Sequence, residues 1–198
     1  MLAINYREQP LQLKNARGQF LFEENGNKVL DCINNVSHIG HCHPYFVTRM
    51  NAQNTQLLTN SRYLYDELMV ATHKLLNKLP PQLSVVTFVN SGSEANDLAM
   101  QMAQIHTRKK GIICFEGAYH GVTSKCLDVS PYKWNEHYAQ PEHVSVADIP
   151  CFYRGKYRQT QEYAEHFKKL ISEKDGAFIC EYMQSCGGQV IPPRDFYQ

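Results

Sequence analysis

The chain has 198 residues, with 20 basic against 19 acidic and a formal net charge of +1. That balance gives no reason to expect nucleic acid or an acidic membrane surface as a partner. Hydrophobic residues make up 43%, enough to bury a sizeable core as one domain, or one domain and part of another, and no apolar run approaches the ~20 residues that span a bilayer.

In chain order, the opening "MLAINYREQP" has neither an apolar signal core nor an Arg-rich amphipathic helix, so no mitochondrial address is visible there. Residues 19–33, "QFLFEENGNKVLDCI", are expected to form a hairpin, because two apolar stretches flank Asn25-Gly26, a strong turn signal. The loop "NNVSHIGHCHP" follows and is closed by Pro44. Helices are expected over 45–58 and 64–79; in the second, Leu68, Ala71, Leu75, Leu76 and Leu79 fall near helical spacing. Pro80-Pro81 ends it.

From Leu83 the pattern changes. "LSVVTFV" is β-branched and is expected to form a strand ending at Asn90, followed by a helix over 93–107 with Leu98, Met102 and Ile105 on one stripe. "GIICF" (111–115) and "GAFICE" (176–181) are expected as further buried strands, with a helix over 160–172 between them. Strands apolar on both faces, alternating with helices, predict an α/β fold with a mainly parallel sheet wrapped by helices. In such sheets ligands bind beyond the C-terminal strand ends. Asn90–Glu94, Gly117–Gly121 and Glu181–Gly188 all lie at such ends.

Each loop has two readings. In Ser91-Gly92-Ser93-Glu94 the spacing fits a capping box; the same N–H groups and helix dipole would hold a phosphate, with Gly92 allowing close approach. No G-K-[ST] follows, so it is not a nucleotide P-loop. Tyr119, in "GAYHG", either stacks on a flat ligand ring or covers the sheet edge. Glu181, after an apolar strand, is either a site carboxylate or one half of a salt bridge. The cluster His38, His41, Cys42 and His43 has the wrong spacing for familiar zinc motifs and is expected to form a turn, not a metal site. "YRGKYR" (153–158) is expected to be a solvated loop, with an anion contact as the alternative. The seven cysteines are an odd, scattered set with no C-x-x-C, which favours free thiols in a reducing compartment.

Taken together, "GHCHP", "NSGSEANDLA", "AYHG" and the run from Glu181 to Pro193 resemble class III pyridoxal-phosphate-dependent aminotransferases. "LDCINNVSHIGHCHP", "YRGKYR" and "MQSCGGQVIPP" resemble the alanine–glyoxylate aminotransferase 2-like branch, which includes ethanolamine-phosphate phospho-lyase. The resemblance covers nearly the whole chain. It implies fold type I of the pyridoxal-phosphate enzymes, here incomplete. Residues 1–45 would contribute to a small domain and active-site loop, and 46–198 would form part of the large cofactor-binding domain. It implies pyridoxal 5'-phosphate as cofactor, with Gly92 and Ser93 on its phosphate, Tyr119 on its ring and Glu181 in the site wall. Many members of the class carry a second Glu where this chain has Cys186, which favours a phospho-lyase over ordinary 2-oxoacid transamination. The implied substrate is a phosphorylated amine or amino acid, and the implied assembly a homodimer or homotetramer with the site at the dimer interface. Residence is expected to be mitochondrial, from the resemblance, or cytoplasmic. The Schiff-base lysine and the Asp that holds the ring nitrogen lie beyond Gln198 in relatives, so this chain carries no catalytic residue of that kind. The chain alone is expected to be inactive and, lacking strands that complete the sheet, poorly soluble or prone to associate. A transaminase and a non-catalytic remnant are the alternatives.

Overall fold

The structure, a computed structural model, describes residues 10–34, 36–136 and 138–197. The chain divides into two compact units, Met1–Pro80 and Pro81–Gln198. Among the described residues no helix is long and apolar enough to cross a membrane.

The first unit begins with three antiparallel strands in the order β1 (Leu13–Arg17), β2 (Phe20–Glu23), β3 (Lys28–Leu30). The expected hairpin is β2–β3. Its turn closes with Glu23 N donating to Asn27 O at 3.0 Å, and Gly26 takes a φ of +88°, which only glycine adopts without strain. Strand β1 is an element the sequence reading lacked, since "LKNAR" has no alternation to mark it. Two helices follow, α1 (Pro44–Gln56) and α2 (Asp66–Leu76). Proline at N1 suits α1, because its missing N–H would be unpaired there anyway. In α2, Asp66 and Glu67 open the helix and His73 and Lys74 close it, matching the dipole at both ends. Both helices are a little shorter than their periodic runs, and neither has a fully buried residue.

The second unit holds α3 (Gly92–Thr107), β4 (Gly111–Phe115), α4 (Ser124–Asp128), β5 (Val144–Ala147), α5 (Thr160–Leu170) and β6 (Asp175–Ile179). Short 3-10 turns lie at Pro131–Lys133 and Arg194–Tyr197. The sheet is parallel, ordered β5-β4-β6, and all five residues of the central strand β4 are buried. Side chains alternate across a strand, so β4 feeds two cores. Ile112 and Cys114 join Met100, Cys126, Val129 and Val144 on one face. Ile113 and Phe115 pack on the other with Ala147 and Ile149, against Phe167 and Leu170 of α5. Helices therefore cover both faces, as expected for parallel strands.

Two expectations are corrected. The run 83–90 forms no strand. It finds no ladder partner among the described residues, and Val85 is 86% exposed. β-Propensity marks a chain that fits a sheet, but a strand needs another strand to take its N–H and C=O groups. The expected stripe on α3 is also wrong: Met102 and Ile105 are exposed, and Met100 is the helix's buried residue. The inward face runs Ser93, Asn96, Met100, Ala103 and Thr107. It packs with small and hydrogen-bonding side chains, which a search for large apolar residues passes over. Strand β5 is likewise an addition, four residues too short to stand out.

Candidate functional site

The site is built where α3 begins. Ser91 is the N-cap, its Oγ accepting from Glu94 N at 3.1 Å. The return bond of a capping box is displaced by one residue: Glu94 Oε2 accepts from Asn90 N at 2.7 Å and from Asn90 Nδ2 at 3.1 Å. Only one N–H of the first turn is consumed by the cap, and those of Gly92 and Ser93 have no acceptor among the described residues. A Cβ placed on Gly92 would meet nothing within 4 Å. The helix terminus is open and electropositive, the arrangement that binds anions.

The loop after β4 reaches this terminus. Val122 N donates to Ser93 Oγ at 3.1 Å, Asn96 Nδ2 donates to the His120 carbonyl at 2.8 Å, and Cys126 Sγ donates to Ser93 O at 3.3 Å. Between these bonds Gly121 takes a φ of +130°, and a Cβ on it would overlap Ser93. A larger residue there has neither the backbone conformation nor the room.

Tyr119 lies two residues earlier on the same loop. Its N–H donates to Glu181 Oε1 at 3.2 Å, while Ser185 N donates to Glu181 Oε2 at 3.1 Å. Each carboxylate oxygen thus accepts a backbone N–H, which stabilises an anion in a half-buried place. Glu181 splints the loop after β4 to the loop after β6. The Tyr119 ring meets Tyr132 edge to face, centroids 6.2 Å apart, with Lys133 Nζ 5.5 Å from the Tyr119 centroid. The structure therefore brings Gly92, Ser93, Tyr119 and Glu181 onto one hydrogen-bonded rim.

Several residues that build this rim were not singled out from sequence. His120 is 5% exposed; its N–H donates to Ser130 Oγ at 2.8 Å, and its Nε2 has no partner among the described residues. Burial lowers its pKa, and the nearby Glu181 charge opposes that. Gln184 is 2% exposed and donates through Nε2 to the Glu116 carbonyl, clasped between Gly117 and Gly187. His120 stood inside the quoted "AYHG". Gln184 stood inside "MQSCGGQVIPP", where nothing local marks its role because its partner lies 68 residues away, and Ser130, ten residues from its partner, carried no local signal.

The other candidates are placed elsewhere. In the first unit, His41 Nε2 meets Asp31 Oδ2 at 2.6 Å and its Nδ1 meets Ser37 Oγ at 3.3 Å, which locks the loop. Among the described residues no three His, Cys, Asp or Glu side chains group as metal ligands. In "YRGKYR", Lys156 pairs with Asp148 at 3.3 Å and Arg158 donates to the Phe152 carbonyl at 2.7 Å. Tyr153, Arg154 and Gly155 line an open cavity of about 850 Å³ with Glu116, Gln189 and Ile191, beyond the ends of β4 and β5.

The family whose sequence model matches residues 1–198 is described as Aminotransferase class-III. The chain is 42% identical over 209 residues to a Drosophila melanogaster protein named Alanine--glyoxylate aminotransferase 2-like, covering 98% of this chain and 42% of that one. It is 37% identical over 217 residues to Ethanolamine-phosphate phospho-lyase homolog 1 of Caenorhabditis elegans, covering 98% and 46%. Its structure is similar to that of a phospholyase from Arthrobacter in complex with phosphoethanolamine. The TM-score is 0.88 at 26% identity, covering 98% of this chain and 48% of that one. The chain spans about half the length of these relatives.

Proposed function

The chain belongs to the class III aminotransferase family, and on that premise we propose that it is part of a pyridoxal-phosphate-dependent phospho-lyase acting on phosphoethanolamine or a related phosphorylated amine. Its fold is type I of the pyridoxal-phosphate enzymes, a parallel sheet covered by helices. The observation that carries the reading is the junction of two hydrogen bonds, Val122 N to Ser93 Oγ and Tyr119 N to Glu181 Oε1. Through it an anion-binding helix end and an aromatic platform share one rim.

The residues fit the cofactor. The free N–H groups of Gly92 and Ser93, with the open space at Gly92, suit its phosphate. The Ser93 hydroxyl accepts from Val122 and keeps its own proton to donate to a phosphate oxygen. Tyr119 offers a ring for the pyridine to stack on. When bound, pyridoxal phosphate supplies an electron sink for charge developing beside the substrate nitrogen. Glu181 has both oxygens accepting from backbone N–H groups, so it holds together the two loops that wall the site. Lys125 donates to Gln104 Oε1 at 2.7 Å and Lys156 is paired with Asp148. We infer that the 198 residues alone bind cofactor without turnover, because none of their lysines stands at a position that matches the family's Schiff-base lysine.

The test is phosphate release from phosphoethanolamine by the full-length protein loaded with pyridoxal phosphate, with no keto acid present. Stoichiometric phosphate and ammonia are expected. Amino transfer from alanine to glyoxylate without phosphate release would instead favour an alanine–glyoxylate transaminase, the reading that the name of the Drosophila relative favours.

A further inference from the structure

A phosphorylated amine brings a second phosphate to a site whose helix terminus is already assigned to the cofactor. A dianionic group of that kind needs a cation of its own. Around the rim, Lys125, Lys156 and Arg158 are each engaged, with Gln104, Asp148 and the Phe152 carbonyl respectively. Lys133 differs. Its Nζ stands 5.5 Å from the Tyr119 centroid and 5.5 Å from the Tyr132 centroid, beside the notch between the two rings. It has no carboxylate partner among the described residues.

Its backbone is held in place. Lys133 ends the 3-10 turn Pro131–Lys133. Tyr132 N donates to the Ala118 carbonyl at 3.1 Å, Lys133 N donates to Ser130 O at 2.8 Å, and Ser130 Oγ receives His120 N at 2.8 Å. The turn is thus stitched on both sides of Tyr119 to the loop that carries that ring, and Ser130 and Ala118 at the stitches are buried. An exposed ammonium near a ring is held only weakly. A charge-assisted hydrogen bond to phosphate is stronger, so an arriving phosphoryl group takes the ammonium from the rings.

We propose that Lys133 is a specificity-determining residue that binds the phosphoryl group of the substrate. The assignment rests on the phospho-lyase reading, and its test separates the two. In the full-length protein loaded with pyridoxal phosphate, Lys133→Met is expected to raise KM for phosphoethanolamine about ten- to a hundredfold, with kcat near wild type, as the loss of uniform binding requires. Lys133→Arg, which keeps the charge, recovers most of the loss. Competitive inhibition by inorganic phosphate weakens in Lys133→Met by a similar factor, while the absorption spectrum of the bound cofactor is unchanged. Unchanged KM and unchanged phosphate inhibition in an active Lys133→Met overturn the assignment and leave the phospho-lyase reading standing. If the wild type releases no phosphate, that reading fails by itself. Lys133 is then judged by phosphoethanolamine binding, read from the shift in cofactor absorption. Weaker binding in Lys133→Met upholds it; equal or absent binding in both overturns it.

Discussion

Gly92 and Gly121 stand on the same rim for opposite reasons. Gly121 is required by the protein itself: its φ is +130° and a Cβ would run into Ser93. Gly92 is helical, and a Cβ there meets nothing, so the space it leaves serves something other than the fold. Gly121→Ala is therefore expected to lower stability by about 2 kcal/mol, whereas Gly92→Ala leaves stability unchanged and weakens cofactor binding. Urea midpoints and cofactor titration of the two variants check this; equal urea midpoints would remove the distinction. His120 supplies a second prediction. Burial lowers its pKa below the ordinary value of 6.5. Between the folded and unfolded pKa values the unfolded chain binds more protons, so stability rises with pH across that window. The stability associated with neutral His120 is full above about pH 6.5 and is lost as pH falls toward the folded value. His120→Phe removes the titration and flattens that part of the profile. Denaturation midpoints from about pH 5 to 7 measure it, and identical slopes in both proteins would sink it.

At the scale of elements, what was legible in the sequence is what local pattern dictates. The Asn25-Gly26 turn, the periodic helices and the apolar runs of β4 and β6 each carry their signal within a few residues. The failures share a cause, which is dependence on a distant partner. Strand β1 exists because β2 lies beside it, and β5 because β4 does. The run 83–90 has strand composition and no ladder. The inner face of α3 is read only once Ser93 and Asn96 have found Val122 and His120. The same divide governs the site: Ser91, Gly92 and Tyr119 were legible as motif residues, while Ser130 and the role of Gln184 within its motif were not, because only folding brings them to their partners. It also predicts local protection. In the 198-residue chain, amides of 84–89 are expected to exchange at rates near those of an unstructured peptide, while those of Ile112–Cys114, where β4 is paired on both sides, exchange slowest. Hydrogen exchange resolved by segment decides it; slow exchange across 84–89 would show a partner strand that the fold does not display.

At the scale of the whole molecule, the buried apolar residues are unevenly shared. Among the described residues, the twelve buried hydrophobic residues other than proline all lie between Met100 and Tyr163, in the second unit. The first unit exposes Val36 at 85%, Leu58 at 84% and Leu64 at 87%, and the second exposes Val85 at 86% and Ile105 at 78%. Scattered exposed leucines are ordinary, but large apolar side chains recurring along consecutive segments are the mark of surfaces that bind. Burial of each such side chain is worth about 1.5–3 kcal/mol, so covering even a few of them outweighs much of the entropy lost on association. The 198-residue chain is therefore expected to self-associate. Sedimentation velocity over a range of concentrations should show a weight-average coefficient that rises with concentration, with dye binding to exposed apolar surface that falls as it does. Replacing Val85 by Thr, which keeps β-branching while removing apolar surface, should shift association to higher concentration without changing the urea midpoint, because Val85 contributes nothing to either core. A sharp, concentration-independent monomer would mean that these side chains are not adhesive as displayed.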